Sequence, residues 1–192
     1  AEDSLTGINI GTASATDPEG QTVTFSLSGT GSENFSVDSS GNISLVNALD
    51  YETATSYTLA LNASDGVNTT TSELIITVDD VNEAPSLTNA LAASSFAENV
   101  STGTTIATAS ASDPESQAIT YSLSGTGSGN FAVDSSGNIT LAAGLDYETA
   151  TSYSLTLSAS DGVNTTTNTL AISISDVNEA PSLTNALAAS SF

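Results

Sequence analysis

Apolar and polar residues alternate along much of this chain. Val23, Phe25 and Leu27 share one side of one stretch. Tyr57, Leu59, Leu61 and Ala63 do so in a second, and Leu74, Ile76 and Val78 in a third. Ile43 and Leu45 make a shorter pair. Successive side chains leave a pleated backbone on opposite faces, so period two over about five to eight residues is the strand signal. Turn clusters separate these stretches: Asp17-Pro18-Glu19-Gly20, Asp38-Ser39-Ser40-Gly41-Asn42 and Asp65-Gly66-Val67-Asn68. No stretch carries a convincing helical stripe. Leu87 to Ala93 admits a helical reading, but its context predicts an entry strand. About seven short strands in about 95 residues describe a β-sandwich.

The whole pattern occurs twice. Ala1–Phe96 aligns with Ala97–Phe192 without a gap, and 70 of the 96 positions are identical. A period of 96 residues is too long for a solenoid unit and suits a string of small domains. The prediction is all-β: two tandem Greek-key sandwiches of immunoglobulin-like type, about seven strands each, arranged end to end. The near-identity of neighbours predicts a longer array made by duplication.

Charge narrows the chemistry. The chain has 22 Asp plus Glu and no Lys, Arg, His, Cys, Met or Trp, for a formal charge of −22. No cation is available to neutralise phosphate, which excludes nucleic acid and argues against an anionic membrane surface. There is no imidazole base, thiolate or amine, so most enzyme chemistry is excluded. A glycosidase would need only carboxylates, and Asp50 and Glu52 share one side of a strand. Yet ten Phe plus Tyr, mostly in strand patterns, make poor platforms for a sugar. The chain is predicted not to be an enzyme. No soft or nitrogen ligand exists for zinc or copper. Carboxylate, amide, hydroxyl and carbonyl oxygen remain, the ligand set of calcium. No stretch approaches the roughly 18 apolar residues of a membrane span, so no membrane insertion is expected. No signal peptide is recognisable at the start, and the chain reads as an excised piece of something longer.

Several ordered motifs resemble the cadherin repeat in its bacterial form. Ala97-Glu98-Asn99 with Gly103-Thr104 is similar to the family's glutamate at the base of the first strand. Ala111-Ser112-Asp113-Pro114-Glu115 resembles its Asp-x-Asp loop, with Glu in the second place. Asn130-Phe131-Ala132-Val133-Asp134 followed by Gly137-Asn138-Ile139 resembles its Phe-x-Ile-Asp and Gly-x-Ile hairpin. Leu145-Asp146-Tyr147-Glu148 is similar to Leu-Asp-Arg-Glu with Tyr for Arg, and Ala159-Ser160-Asp161-Gly162 to Ala-x-Asp-x-Gly. Asp80-Val81-Asn82-Glu83-Ala84-Pro85 resembles the Asp-x-Asn-Asp-Asn-x-Pro linker, one residue shorter. Each motif alone is weak; all of them in order, twice, are specific.

The acids also argue for themselves. Turn residues at strand ends gather at domain ends, and linker residues lie between domains. A head-to-tail junction is predicted to collect Glu2, Asp50, Glu52, Asp80 and Glu83 with Asp113, Glu115 and Asp161 from the following repeat. Eight carboxylates would repel strongly without a counter-ion. Since Ca²⁺ takes roughly 6–8 oxygens, about two or three ions fit a junction once Asn82 and backbone carbonyls join. The resemblance implies up to three. Glu98, Asp146, Glu148, Asp176, Asn178 and Glu179 form the equivalent C-terminal half-site, and Asp17, Glu19 and Asp65 the N-terminal half-site. Asp38 and Asp134 are expected to cap hairpin turns, and Glu33 and Glu73 to be surface charges. Asp3 and Asp79 are open additions to the ligand set. Tyr51 and Tyr147 are expected to pack beside the site.

Cadherin repeats begin just after the linker proline. The expected domains are therefore residues 1–85, ending in linker 79–85, and residues 86–181. Residues 182–192 form the first-strand segment of a following repeat. Repeat 1 lacks the counterpart of 86–96, and the tail of one molecule is expected to fill that place in domain 1 of another. The resulting expectation is a calcium-rigidified extender in a large adhesin on a bacterial cell surface, with identical repeats as head-to-tail neighbours. An alternative is a repeat that itself mediates homophilic or carbohydrate adhesion. Homophilic contact usually uses an anchor such as Trp, which is absent. Thr69-Thr70-Thr71 and Thr165-Thr166-Thr167 read first as a polar strand face.

Overall fold

The structure is a computed structural model describing residues 1–91 and 95–183. It divides into two compact units, Ala1–Asn82 and Glu83–Phe192.

In unit 1 the strands are β1 (Asn9–Thr12), β2 (Thr24–Ser28), β3 (Phe35–Val37), β4 (Asn42–Leu45), β5 (Ser56–Ser64) and β6 (Thr69–Thr77). They form two three-stranded sheets, ordered β1-β4-β3 and β2-β5-β6. In unit 2 the strands are β7 (Ser86–Leu91), β8 (Phe96–Ala97), β9 (Thr105–Ser112), β10 (Thr120–Ser124), β11 (Phe131–Val133), β12 (Asn138–Leu141), β13 (Ser152–Ser160) and β14 (Thr165–Ser175). Their sheets are four-stranded, ordered β11-β12-β9-β7 and β10-β13-β14-β8. Among the described residues, helix is limited to two three-residue 3-10 turns, Ser32–Asn34 and Ser128–Asn130.

All-β tandem sandwiches are therefore what the alternation foretold. Among the described residues unit 1 has six strands and unit 2 eight, where about seven were expected; in unit 2 the entry segment divides, with β7 pairing antiparallel with β9 and β8 crossing to pair in parallel with β14. The segment at Leu87 is thus strand, not helix.

Each unit buries one face of each sheet. In unit 2 the core holds Phe96, Ile106, Phe131, Ile139, Leu155 and Leu170 with their neighbours. In unit 1 a smaller core gathers around Phe35, Leu45 and Leu59. Both contain an edge-on aromatic pair at 5.3 Å, Phe35 with Tyr57 and Phe131 with Tyr153. The hairpin between β11 and β12 turns through Gly137 at φ +80°, where a Cβ would sit 2.4 Å from the Ala109 carbonyl oxygen. Only glycine meets both conditions. Asp134 accepts Ser136 N–H at 2.9 Å and Asn138 N–H at 2.8 Å, closing the same turn. Asp38 does so for its own turn through Ser40 and Asn42. Both are therefore turn caps.

Candidate metal centre

A buried glutamate organises one end of each unit. In unit 1, Glu2 N–H donates to Asp79 O at 3.1 Å, which aligns the start of the chain with the segment following β6. The Glu2 carboxylate is 6% exposed. Its Oε2 accepts Tyr51 N–H at 2.5 Å and its Oε1 accepts Val81 N–H at 2.7 Å. One side chain thus ties together the turn that precedes β1, the β4–β5 loop and the segment after β6. Unit 2 repeats the arrangement: Glu98, 8% exposed, accepts Tyr147 N–H at 2.6 Å and Val177 N–H at 2.7 Å. These two backbone donors hold the Glu98 carboxyl below the ordinary glutamate range, against the cost of desolvation.

Acids crowd around each clasp. Glu2, Asp50 and Glu52 each offer an oxygen within 4.8 Å of the others, and an Asp80 oxygen lies equally close to one on Glu52. In unit 2, Glu98, Glu148 and Glu179 make a trio on the same criterion. Lost hydration, and then the Glu98 charge, raise the Glu179 carboxyl. Asp50 and Asp146 each cap a turn. Asp146 accepts the Thr149 hydroxyl at 2.8 Å and Thr149 N–H at 3.0 Å, which lowers its carboxyl. Asp176 is exposed, and the Asn178 amide donates to Glu179 O at 3.2 Å. No Lys, Arg or His exists to balance these groups.

The loops at the other end carry the remaining acids. Asp113 Oδ1 accepts Gln117 N–H at 2.9 Å. Asp113 Oδ2 and Glu115 Oε2 are buried and accept no hydrogen bond. Glu115 Oε1 accepts Glu83 N–H at 3.1 Å. Contact with the Glu83 side chain lowers the Glu115 carboxyl, against desolvation. Immediately after Glu115, Ser116 adopts φ +61°, where unit 1 has Gly20. Asp161 Oδ1 closes its turn on Val163 and Asn164 N–H, both at 2.6 Å. In unit 1, Asp17, Glu19 and Asp65 line a single cleft. Asp17 caps Glu19 and Gln21 N–H, and Asp65 caps Val67 and Asn68 N–H, so all four loops are held before any ligand is considered.

Asp3 and Asp79 are exposed, while Tyr147 packs on the core and Tyr51 is half-buried. The sequence reading missed the backbone donors of Tyr51, Val81, Tyr147 and Val177. A main-chain N–H has no residue signature, so no motif could have announced them.

The donor set is uniformly hard oxygen, clustered within each unit, with two buried carboxylate oxygens left unsatisfied. That set fits calcium and no soft metal. Among the described residues no helix is long and apolar enough to cross a membrane.

Comparison with known proteins gives a consistent result. The family model described as the cadherin domain matches residues 1–79 and again 93–175. Mouse cadherin-related family member 1 is 34% identical over 197 residues, which cover 93% of this chain and 23% of that relative. The chain therefore spans less than a quarter of that relative's length. Among solved structures, human protocadherin-24 EC1-2 (form II) superposes with a TM-score of 0.63 at 25% identity, covering 91% of this chain and 92% of the other. The protocadherin gammaB7 EC3-6 cis-dimer structure gives 0.61 at 26% identity, covering 93% and 45%.

Proposed function

This chain belongs to the cadherin family, and from that premise we propose that its two domains are calcium-rigidified extender repeats of an extracellular array. Cadherin domains are extracellular structural and adhesion modules that bind calcium. The observation that carries the reading is the pair of buried glutamates, Glu2 and Glu98, each amid carboxylates in a chain without one cationic side chain.

Glu2, Asp50, Glu52, Asp80, Asn82 and Glu83 would supply one side of a junction, and Asp113, Glu115 and Asp161 the other. Glu98, Asp146, Glu148, Asp176, Asn178 and Glu179 would serve a following repeat, and Asp17, Glu19 and Asp65 a preceding one. Bound calcium supplies the positive charge these acids lack. The clasps hold loop and linker in register, so the oxygens are pre-positioned. With roughly 6–8 oxygens per ion, the junction donors suffice for about two or three ions. Without neutralisation the same charges repel, so extension becomes metal-dependent.

Successive repeats identical at 70 of 96 positions support a long array grown by duplication. Together with the absence of Lys and Arg, that supports assignment to a large bacterial surface adhesin. The reading is tested by thermal unfolding and small-angle scattering in calcium and in chelator. A higher Tm and a stiffer, longer particle in calcium are expected; identical values in both media would refute it. A second reading, adhesion by the repeats themselves, draws on the likeness to the protocadherin cis-dimer. It predicts self-association through side surfaces.

A further inference from the structure

One threonine in each unit grips a carboxylate of the acid cluster by both of its oxygens. In unit 1 the Thr53 hydroxyl donates to Asp50 Oδ2 at 3.0 Å, and Thr53 N–H donates to Asp50 Oδ1 at 3.0 Å. In unit 2 Thr149 makes the same two bonds to Asp146, at 2.8 Å and 3.0 Å. The main chain closes beneath each pair: Ala54 N–H donates to Asp50 O and Ala150 N–H to Asp146 O, both at 2.9 Å. Asp50 to Ala54 and Asp146 to Ala150 are thus single turns, fixed by main chain and side chain together.

Each turn also supplies the clasp and the cluster. From the first, Tyr51 N–H reaches Glu2, and Glu52 joins Glu2 and Asp50 in a trio with oxygens within 4.8 Å of one another. From the second, Tyr147 N–H reaches Glu98, and Glu148 joins Glu98 and Glu179 in the matching trio. Asp146 also lies near enough for its charge to oppose the lowering of Glu98 by Tyr147 and Val177 N–H.

Both members of each threonine–aspartate pair are exposed. Such a hydrogen bond exchanges readily with water, so its net contribution to folding is small. Closing the turn does not require the hydroxyl either, since the threonine N–H and the main-chain bond already do so. What the hydroxyl adds is control of the second carboxylate oxygen. The charges of Glu2 and Glu52 push Asp50 outward into water, and a carboxylate held at both oxygens cannot turn away from them.

We propose, on the calcium reading given above, that Thr53 and Thr149 are positioning residues of the calcium sites, holding Asp50 and Asp146 in place against the repulsion of their acidic neighbours. Neither threonine touches an ion in this role; each fixes a ligand's orientation from behind, as outer partners of metal ligands do. Loss of the hydroxyl frees one oxygen, and the carboxylate swings toward water. With no ion bound, relief of repulsion offsets the lost hydrogen bond. With calcium bound, the carboxylate has to be brought back, and the cost falls on affinity.

The test compares the 192-residue chain with the double variants Thr53→Val/Thr149→Val and Thr53→Ser/Thr149→Ser. Isothermal calorimetry with calcium chloride reads affinity, and urea unfolding in chelator reads stability without the ion. The valine variant should bind calcium about tenfold or more weakly, with its urea midpoint in chelator unchanged. The serine variant, which restores the donor, should match the wild type in both. A valine variant with wild-type affinity overturns the proposal. So does a serine variant as weak as the valine one. A loss of affinity matched by an equal loss of stability in chelator also overturns it, since each threonine would then be a turn cap alone. A wild-type chain that binds no calcium sinks the calcium reading along with the proposal, whereas the other three results leave that reading standing.

Discussion

Replacing Glu2 by Gln sets two opposing effects of similar size against each other. Glu2 accepts two backbone N–H groups from a site 6% exposed. Gln keeps the length of the side chain but offers one acceptor; its amide nitrogen faces the second N–H as donor against donor. A hydrogen bond to a charged group contributes about 1.5–3 kcal/mol, so roughly that much is lost. Against this, Asp50 and Glu52 each place an oxygen within 4.8 Å of one on Glu2. Two unit charges at that separation repel by about 3.5 kcal/mol at an effective dielectric constant of about 20. Salt screening over a Debye length of about 8 Å roughly halves this, and the exposure of both partners lowers it further. Removing the charge therefore returns most of what the lost hydrogen bond costs. In chelator the variant should lie within about 1 kcal/mol of the wild type.

Calcium changes the balance. For extracellular sites with Kd of about 10⁻⁴ to 10⁻³ M, about 10 mM calcium stabilises the folded state by about 1.4–2.7 kcal/mol per ion. A neutral Gln forfeits that contribution for each ion that Glu2 helps to hold. Adding the lost hydrogen bond, the expected destabilisation in calcium is about 3–6 kcal/mol for one ion. Urea unfolding followed by far-UV circular dichroism in both media reads the difference. Equal losses in the two media would refute the reasoning, because Glu2 would then be a hydrogen-bonding clasp and nothing more.

Three further predictions concern the scaffold. Gly137→Ala should cost about 2–4 kcal/mol, from a left-handed backbone plus a clash with the Ala109 carbonyl; an unchanged urea midpoint would contradict it. Ser116→Gly should stabilise unit 2 by up to about 1 kcal/mol, since relief of a positive φ outweighs the extra chain entropy of glycine; a lower Tm would contradict it. Asp134, held below its ordinary value of 3.8 first by the Asn138 side chain and then by Asn138 N–H, contributes stability above about pH 4 that is lost as pH falls through its folded value. Asp134→Asn should therefore flatten the acid side of the Tm–pH profile below about pH 4; a profile parallel to the wild type would count against it.

Much of this protein was legible along the chain because the decisive signals are local. Alternation predicts strands through Val23, Phe25 and Leu27, through Tyr57 to Ala63, and through Leu74, Ile76 and Val78; the structure has strands at Thr24–Ser28, Ser56–Ser64 and Thr69–Thr77. Asp38 and Asp134 announce their turns because an Asx side chain closes backbone two to four residues on. The acids were legible as a set of hard-oxygen donors, since the chain has 22 carboxyl residues and no cationic side chain. Their grouping was not. Glu2 meets Tyr51 across 49 positions and Val81 across 79, through main-chain groups that every residue possesses.

The two repeats show most directly where sequence stops deciding. Thr12-Ala13-Ser14 and Thr108-Ala109-Ser110 are the same three residues. The second set lies wholly within a strand, while in the first β1 ends at Thr12. Ile10 and Ile106 are the same residue at the same place in the repeat, yet one is 43% exposed and the other is not exposed at all. A strand needs a partner for its backbone and a cover for its apolar face, and for β9 both come from β7, a separate segment of chain. Composition and periodicity determined what each segment can become; the presence of a partner in space decided which segments became it.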